Sequence, residues 1–175
     1  RLTQAVTRTT PNGPQELVTT FQYDNENRLK KTIYPDGTFT ETVYNNIGKQ
    51  SITRDQLGRE TRFTYDNMGN LTQTTYPDGV FDSATYDAEG RAKTRTDRGG
   101  RTTTSVYDKA GRMIQTILPD GSTSSTIYNT LSQVTESIDA RGKSTRFEYD
   151  SAGQSNPRVA RATTFEINND GRASV

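Results

Sequence analysis

Runs of six or seven residues rich in Thr, Val, Ile, Phe and Tyr recur along the chain, divided by clusters of Asp, Asn, Gly and Pro. Thr38 to Tyr44, Lys49 to Arg54 and Arg59 to Tyr65 are examples. Such residues suit a pleated surface, and the clusters between them suit turns. No stretch sustains a helical apolar period. The pattern predicts an all-β chain, an antiparallel meander of about 14–16 short strands whose neighbours lie about 4.8 Å apart.

The meander keeps a strict period. Tyr23, Tyr44, Tyr65, Tyr86, Tyr107, Tyr128 and Tyr149 follow one another at 21-residue intervals. Gly37, Gly58, Gly79, Gly100, Gly121 and Gly142 keep the same interval, and Gly48, Gly69, Gly90, Gly111 and Gly153 each follow a tyrosine by four residues. A fixed self-similar period marks a repeat architecture, in which each unit contacts only its neighbours and many equivalent units build one surface. These tyrosines and glycines are the expected structural residues of the repeat.

Each 21-residue unit carries two turns. The first follows the tyrosine, as in Tyr86-Asp87-Ala88-Glu89-Gly90. Asp suits the first position of a type I turn, and Gly takes the left-handed conformation that closes a three-residue loop with a bulge. The second turn alternates between Pro-Asp-Gly, at Pro35, Pro77 and Pro119, and Asp-x-x-Gly, at Asp55, Asp97 and Asp139, so the larger unit is 42 residues. Both read as one turn made with different chemistry. Asn27 and Ser132 replace the first-turn glycine in two units; Asn tolerates the left-handed region and Ser is less comfortable there.

A three-residue loop pairs each tyrosine with the residue six positions later, which gives Leu29, Gln50, Leu71, Ala92, Met113 and Val134 as partners. Parity complicates the rest. Side chains alternate faces with period 2, and 21 is odd, so two identical loops per unit would send successive tyrosines to opposite faces. A strand bulge or an unlike second turn restores one face. A one-face tyrosine ladder is the simpler core, and Phe21, Phe63 and Phe147, two residues before their tyrosines, share it.

Leu, Ile, Val and Phe supply only 29 of 175 residues, while 22 basic and 21 acidic residues nearly cancel. Low apolar content without high net charge argues for an ordered, thin-cored sheet, wet on much of both faces. A net charge of +1 leaves no electrostatic footprint for nucleic acid. No apolar run is long enough for a transmembrane helix, so no membrane insertion is expected. The absence of cysteine rules out disulfides and thiolate metal sites. Residues 1–175 read as one segment of a longer array, with regular units over about 19–154 and degenerate units over 1–18 and 155–175. Pro11-Asn12-Gly13-Pro14 reads as a lengthened turn.

Candidate chemistry is sparse. The absence of His removes His-based acid–base catalysis, serine–histidine triads and most zinc sites. Asp24, Asp66, Asp87, Asp108 and Asp150 occupy one turn slot and read as turn formers, not as catalytic carboxylates. The Pro-Asp-Gly segments lack calcium-loop spacing. Arg98-Gly99-Gly100-Arg101 falls in phase with the second turns, against an RNA-binding reading, and Asn70-Leu71-Thr72 is a glycosylation triplet. No catalytic residue, cofactor or metal is expected. Rows of tyrosine also carry an alternative reading as sugar-binding platforms.

The pattern Tyr-Asp-x-x-Gly-Arg, followed some ten residues on by Pro-Asp-Gly or Asp-x-x-Gly-Arg, resembles the YD repeat of the rearrangement-hotspot (Rhs) family. Tyr86 to Arg91 with Asp97 to Arg101, and Tyr107 to Arg112 with Pro119 to Gly121, carry it, and the likeness covers roughly 19–154. The resemblance implies a curved open sheet forming part of a hollow β-shell. In Rhs proteins and the C components of insecticidal toxin complexes such a shell encloses a C-terminal toxin domain until delivery; teneurins carry a similar shell in adhesion. The implied partners are flanking YD repeats and an enclosed toxin domain of the same protein, and the implied location is secreted or cell surface. The alternative is an adhesive or carbohydrate-binding surface with a glycan or cell-surface partner. The family's self-cleaving, core-associated region has no match here, so no cleavage residues carry over.

Overall fold

A computed structural model of the chain describes residues 2–10, 13–149, 159–167 and 173–174, with side chains over 17–149 and 162–164. Among the described residues the regular elements are sixteen strands and no helix, and hydrogen-bonded neighbours follow chain order without a crossover. The chain divides into two compact units, Arg1–Ala84 and Thr85–Val175. The first contains β1 (Leu2–Thr10), β2 (Gly13–Tyr23), β3 (Leu29–Ile33), β4 (Phe39–Tyr44), β5 (Gln50–Arg54), β6 (Glu60–Tyr65) and β7 (Leu71–Thr75). The boundary falls within β8 (Phe81–Tyr86). The second unit continues with β9 (Ala92–Thr96), β10 (Thr102–Tyr107), β11 (Met113–Ile117), β12 (Thr123–Tyr128), β13 (Val134–Ile138), β14 (Lys143–Tyr149), β15 (Val159–Ile167) and β16 (Ala173–Ser174).

One backbone loop makes both kinds of turn. The first residue donates its N–H to the carbonyl of the fifth, and the fourth donates back to the first: Asp24 to Arg28 at 2.9 Å and Asn27 to Asp24 at 3.2 Å. Tyr34 to Thr38 (2.9 Å) with Gly37 to Tyr34 (3.0 Å), and Asp55 to Arg59 (3.1 Å) with Gly58 to Asp55 (2.9 Å), repeat it. The fourth residue is left-handed even where it is not glycine, with φ of 59° at Asn27 and 62° at Ser132. What differs is the position of the carboxylate. Asp24 Oδ1 accepts from the N–H groups of Glu26 and Arg28, whereas Asp36, two positions further along its turn, accepts from the N–H and hydroxyl of Thr38. In each case a carboxylate satisfies the N–H that follows the left-handed residue.

The pairing predicted six residues on is present. Tyr23 pairs with Leu29, Tyr44 with Gln50, Tyr65 with Leu71, Tyr107 with Met113 and Tyr128 with Val134. The register then slips by one residue at each of these pairs. Gln22 pairs with Lys31, Val43 with Ile52 and Thr64 with Gln73, which leaves Lys30, Ser51 and Thr72 as bulge residues. Because the second turns add no slip, the bulge alone converts the odd repeat into one of even parity. Followed through the register, Tyr23, Tyr44 and Tyr65 share a face in the first unit, with Phe21 and Phe63. In the second unit Tyr107, Tyr128 and Tyr149 share a face with Phe147. The hydroxyls of Thr85 and Thr94 meet at 2.6 Å on the opposite face, so Tyr86 joins this ladder. Three bulge residues also close a hydrogen bond across the defect: Ser51, Thr72 and Thr135 donate their hydroxyls to the carbonyls of Val43, Thr64 and Ile127 at 3.1–3.2 Å.

Two expectations need correction. The thin core is thinner than the composition suggested: among the described residues no hydrophobic side chain is buried. Each unit is a single sheet layer, and no second layer of described residues covers either face. Nor is Gly13-Pro14 part of a lengthened turn. Both residues open β2, where Thr10 pairs with Gly13 and Thr9 with Pro14, so the extra length goes into a strand pair of 9 and 11 residues. Pro at the start of a strand costs little, since its missing N–H falls at the end of the ladder. Pro11, Asn12, Asp150 and Gly153 lie outside the described residues.

Candidate functional site at the seam between repeats

In a layer without a dry interior, the cohesion between one repeat and the next rests on the main-chain ladder and on specific side-chain contacts. Tyrosine supplies one at five positions. Its hydroxyl reaches back over the sheet to the carbonyl fifteen residues earlier, the residue that pairs with the previous tyrosine. Tyr44 donates to Leu29 (3.0 Å), Tyr65 to Gln50 (2.9 Å), Tyr107 to Ala92 (3.0 Å), Tyr128 to Met113 (3.2 Å) and Tyr149 to Val134 (2.9 Å). A neutral hydrogen bond of this kind contributes about 1 kcal/mol.

A cation covers the ring. Arg28 lies 4.3 Å from the centroid of Tyr44, Lys49 5.5 Å from Tyr65, Arg91 4.8 Å from Tyr107 and Arg112 4.5 Å from Tyr128. Each cation is the fifth residue of a first turn and stacks on the tyrosine of the following repeat. The turn aspartate aims it: Asp24, Asp87 and Asp108 each accept the Nε of their arginine through Oδ2, at 2.6–2.8 Å. The same carboxylates are held below their ordinary value. For Asp24 and Asp108 the main-chain N–H of Arg28 and Arg112 is the largest cause. For Asp87 desolvation pushes upward and is outweighed by the N–H and guanidinium of Arg91.

The glycine of the following repeat completes the seam. A Cβ at Gly48 would stand 3.1 Å from Arg28 Nη1, one at Gly69 3.0 Å from Lys49 Cε, and one at Gly111 3.1 Å from Arg91 Nη1. Gly48, Gly69 and Gly111 are therefore favoured twice, by a positive φ and by a passing cation that a Cβ would have to push aside. Ser132 shows the exception: its hydroxyl accepts from Arg112 Nη1 at 3.1 Å, so the added atoms become a partner. Second-turn glycines meet no such neighbour: a Cβ at Gly37, Gly58, Gly79, Gly100, Gly121 or Gly142 would have nothing within 4 Å.

Sequence reasoning placed the tyrosines and turns but missed the cations. A signal was available. Arginine at the sixth position of the tyrosine-led motif occurs only with aspartate at the second, at Asp24 with Arg28, Asp87 with Arg91 and Asp108 with Arg112. The glycosylation triplet is also absorbed by the seam, since Asn70 Nδ2 donates to Asp66 and Thr72 Oγ1 to Thr64. No cluster of His, Cys, Asp or Glu suited to a metal occurs among the described residues, and no helix is long and apolar enough to cross a membrane. The groove between second turns in the first unit, about 430 Å³, is lined by Arg59, Glu60, Arg62 and Tyr76, whose polar groups are bonded to Asp55, Arg54, Glu60 and Asp82.

Hairpins of one loop type, paired in chain order and latched to their neighbours by tyrosine, define a tandem β-hairpin repeat protein. The particular family follows from its sequence profile: the chain belongs to the RHS Repeat family, matched over residues 1–38, 44–80, 86–123 and 128–164. The fold is similar to those of TcdB2-TccC3-Cdc42 (TM-score 0.54, 14% identity, covering 94% of this chain and 10% of that one) and TcdB2-TccC3 without its hypervariable C-terminal region (TM-score 0.53, 14% identity, 94% and 10%). TcdB2-TccC3 itself gives a TM-score of 0.52 at 15% identity, over 89% of this chain and 9% of that one. The chain thus spans about a tenth of the length of these structures. No curated protein matches it.

Proposed function

We propose that this chain is a non-catalytic wall segment of an Rhs shell that encloses a toxin domain and helps deliver it. The carrying observation is a single-layer sheet with no buried hydrophobic side chain among the described residues, in which tyrosine, cation and glycine together secure one repeat to the next at Tyr44, Tyr65 and Tyr107. Such a wall presents wet faces to both sides and holds cargo without a large adhesive apolar surface. The tyrosines and the first-turn glycines are its coupling positions, the second-turn glycines shape its loops, its partners are flanking repeats and the enclosed domain, and its location is outside the producing bacterial cell. The adhesive alternative draws less support, because the rings of Tyr44, Tyr65, Tyr107 and Tyr128 are already covered by a cation and are poor sugar platforms.

The test uses the full-length protein. Deleting one 42-residue pair of repeats is expected to expose the cargo domain to protease while the remaining repeats stay folded. Unchanged protection of the cargo overturns the shell reading, and selective binding of this segment on a glycan array favours adhesion.

A further inference from the structure

We propose that acid opens the seams of this array selectively: seams clasped by an aspartate release when its carboxylate takes up a proton, and seams clasped by an asparagine stay closed. The inference concerns the chain's own cohesion and holds whether or not the wall encloses cargo.

The geometry separates two sets, and Asp66, whose Oδ2 holds the neutral Asn70 amide in place of a guanidinium, belongs to neither. In the seams led by Asp24, Asp87 and Asp108, one carboxylate does two tasks. Oδ1 closes the turn by accepting two main-chain N–H groups, and Oδ2 holds the guanidinium that covers the next tyrosine. Asn45 and Asn129 close the same turn through an amide oxygen, from Ile47 and Lys49 and from Leu131 and Gln133, at 2.9–3.1 Å. An amide oxygen does not titrate in this range. When an aspartate takes its proton, the arginine keeps its own charge, loses the counter-charge that aims it over the ring and exchanges the Oδ2 contact for water.

The other charged groups facing these clasps are few. Glu26 bonds Arg28 at 2.7 Å and Glu89 bonds Arg91 at 3.0 Å, both from exposed turn tips. Lys109 lies in the turn of Asp108. From the following repeat the arginines meet Tyr44 and Gly48, Tyr107 and Gly111, or Tyr128 with Asn129 and Ser132, none of which carries charge at neutral pH. Second-turn carboxylates such as Asp55 and Asp97 hold arginines that cover no tyrosine, so their protonation loosens a loop and leaves the seam intact.

The sign follows from linkage. Each clasp carboxylate is lowered from 3.8, so the stability it lends is complete above that value and is lost as pH falls through the lower native one. Amide hydrogen-exchange protection, corrected for intrinsic rates, reads each clasp separately, and the ring-current shift of the Arg91 and Arg112 side-chain protons reads whether they still cover Tyr107 and Tyr128. Between pH 7 and about 3, protection of Glu89, Arg91, Ala110 and Arg112 is expected to fall by roughly two- to fivefold, while that of Ile47, Lys49, Leu131 and Gln133 holds. Asp87→Asn should abolish the response at its own seam only. The reciprocal change Asn129→Asp with Gln133→Arg should install one, and it serves if Asp87→Asn does not fold. Equal loss of protection at asparagine and aspartate seams, or an unchanged response in Asp87→Asn, overturns the proposal.

Discussion

Asp87-Ala88-Glu89-Gly90-Arg91 and Asp97-Arg98-Gly99-Gly100-Arg101 share their spacing of acid, glycine and arginine and fold into the same loop, yet only the first ties repeats together. In both, Oδ1 takes the N–H groups of the third and fifth residues and Oδ2 takes the guanidinium. Arg91 then lies over Tyr107 with 29% of its side chain exposed, while Arg101 is 73% exposed. Sixteen residues beyond Arg91 stands Tyr107; sixteen beyond Arg101 stands Ile117, on the other face. The motif specifies a loop, and the neighbour decides whether the loop becomes a clasp.

The largest break in this contrast comes from the ring itself. Tyr107→Ala is expected to cost about 2–4 kcal/mol, against about 1–2 kcal/mol for Ile117→Ala, in midpoints of urea unfolding. Next is glycine. Gly111→Ala should cost about 2–3 kcal/mol and Gly121→Ala about 1–2, since both strain a positive φ but only the first meets a cation. Adding Arg91→Ala should recover part of the Gly111 penalty and none of the Gly121 penalty; equal recovery would refute the close approach. Tyr107→Phe, which removes only the bond to Ala92, should cost about 1 kcal/mol. The smallest effect separates the two arginines: Arg91→Ala lowers the melting temperature measurably and Arg101→Ala does not, with the Arg91 effect reduced in high salt.

Much of this architecture was legible because it is local. Turn residues, strand lengths and the six-residue offset from Tyr65 to Leu71 follow from loop chemistry within a few residues. Parity showed that a one-face ladder needs either a bulge or an unlike turn, and the register supplies the choice: Lys30, Ser51 and Thr72 are unpaired, and the turns are alike. The clasp was not legible, because Arg28 and Tyr44 meet across a strand pair and their contact depends on how far a long side chain lies over a twisted sheet. Gly13-Pro14 misled for a related reason. Turn residues at the mouth of a hairpin whose strands are already longer simply join the ladder.

The bulge has one more consequence, for growth. Each repeat leaves the chain facing the same way as it entered, with its open edge presenting the contacts that the next repeat needs. Nothing in the seam refers to position along the array, and no buried apolar core among the described residues fixes a size. Copy number is then free to drift: a duplicated 42-residue block reproduces every junction, and the wall lengthens without having to be redrawn.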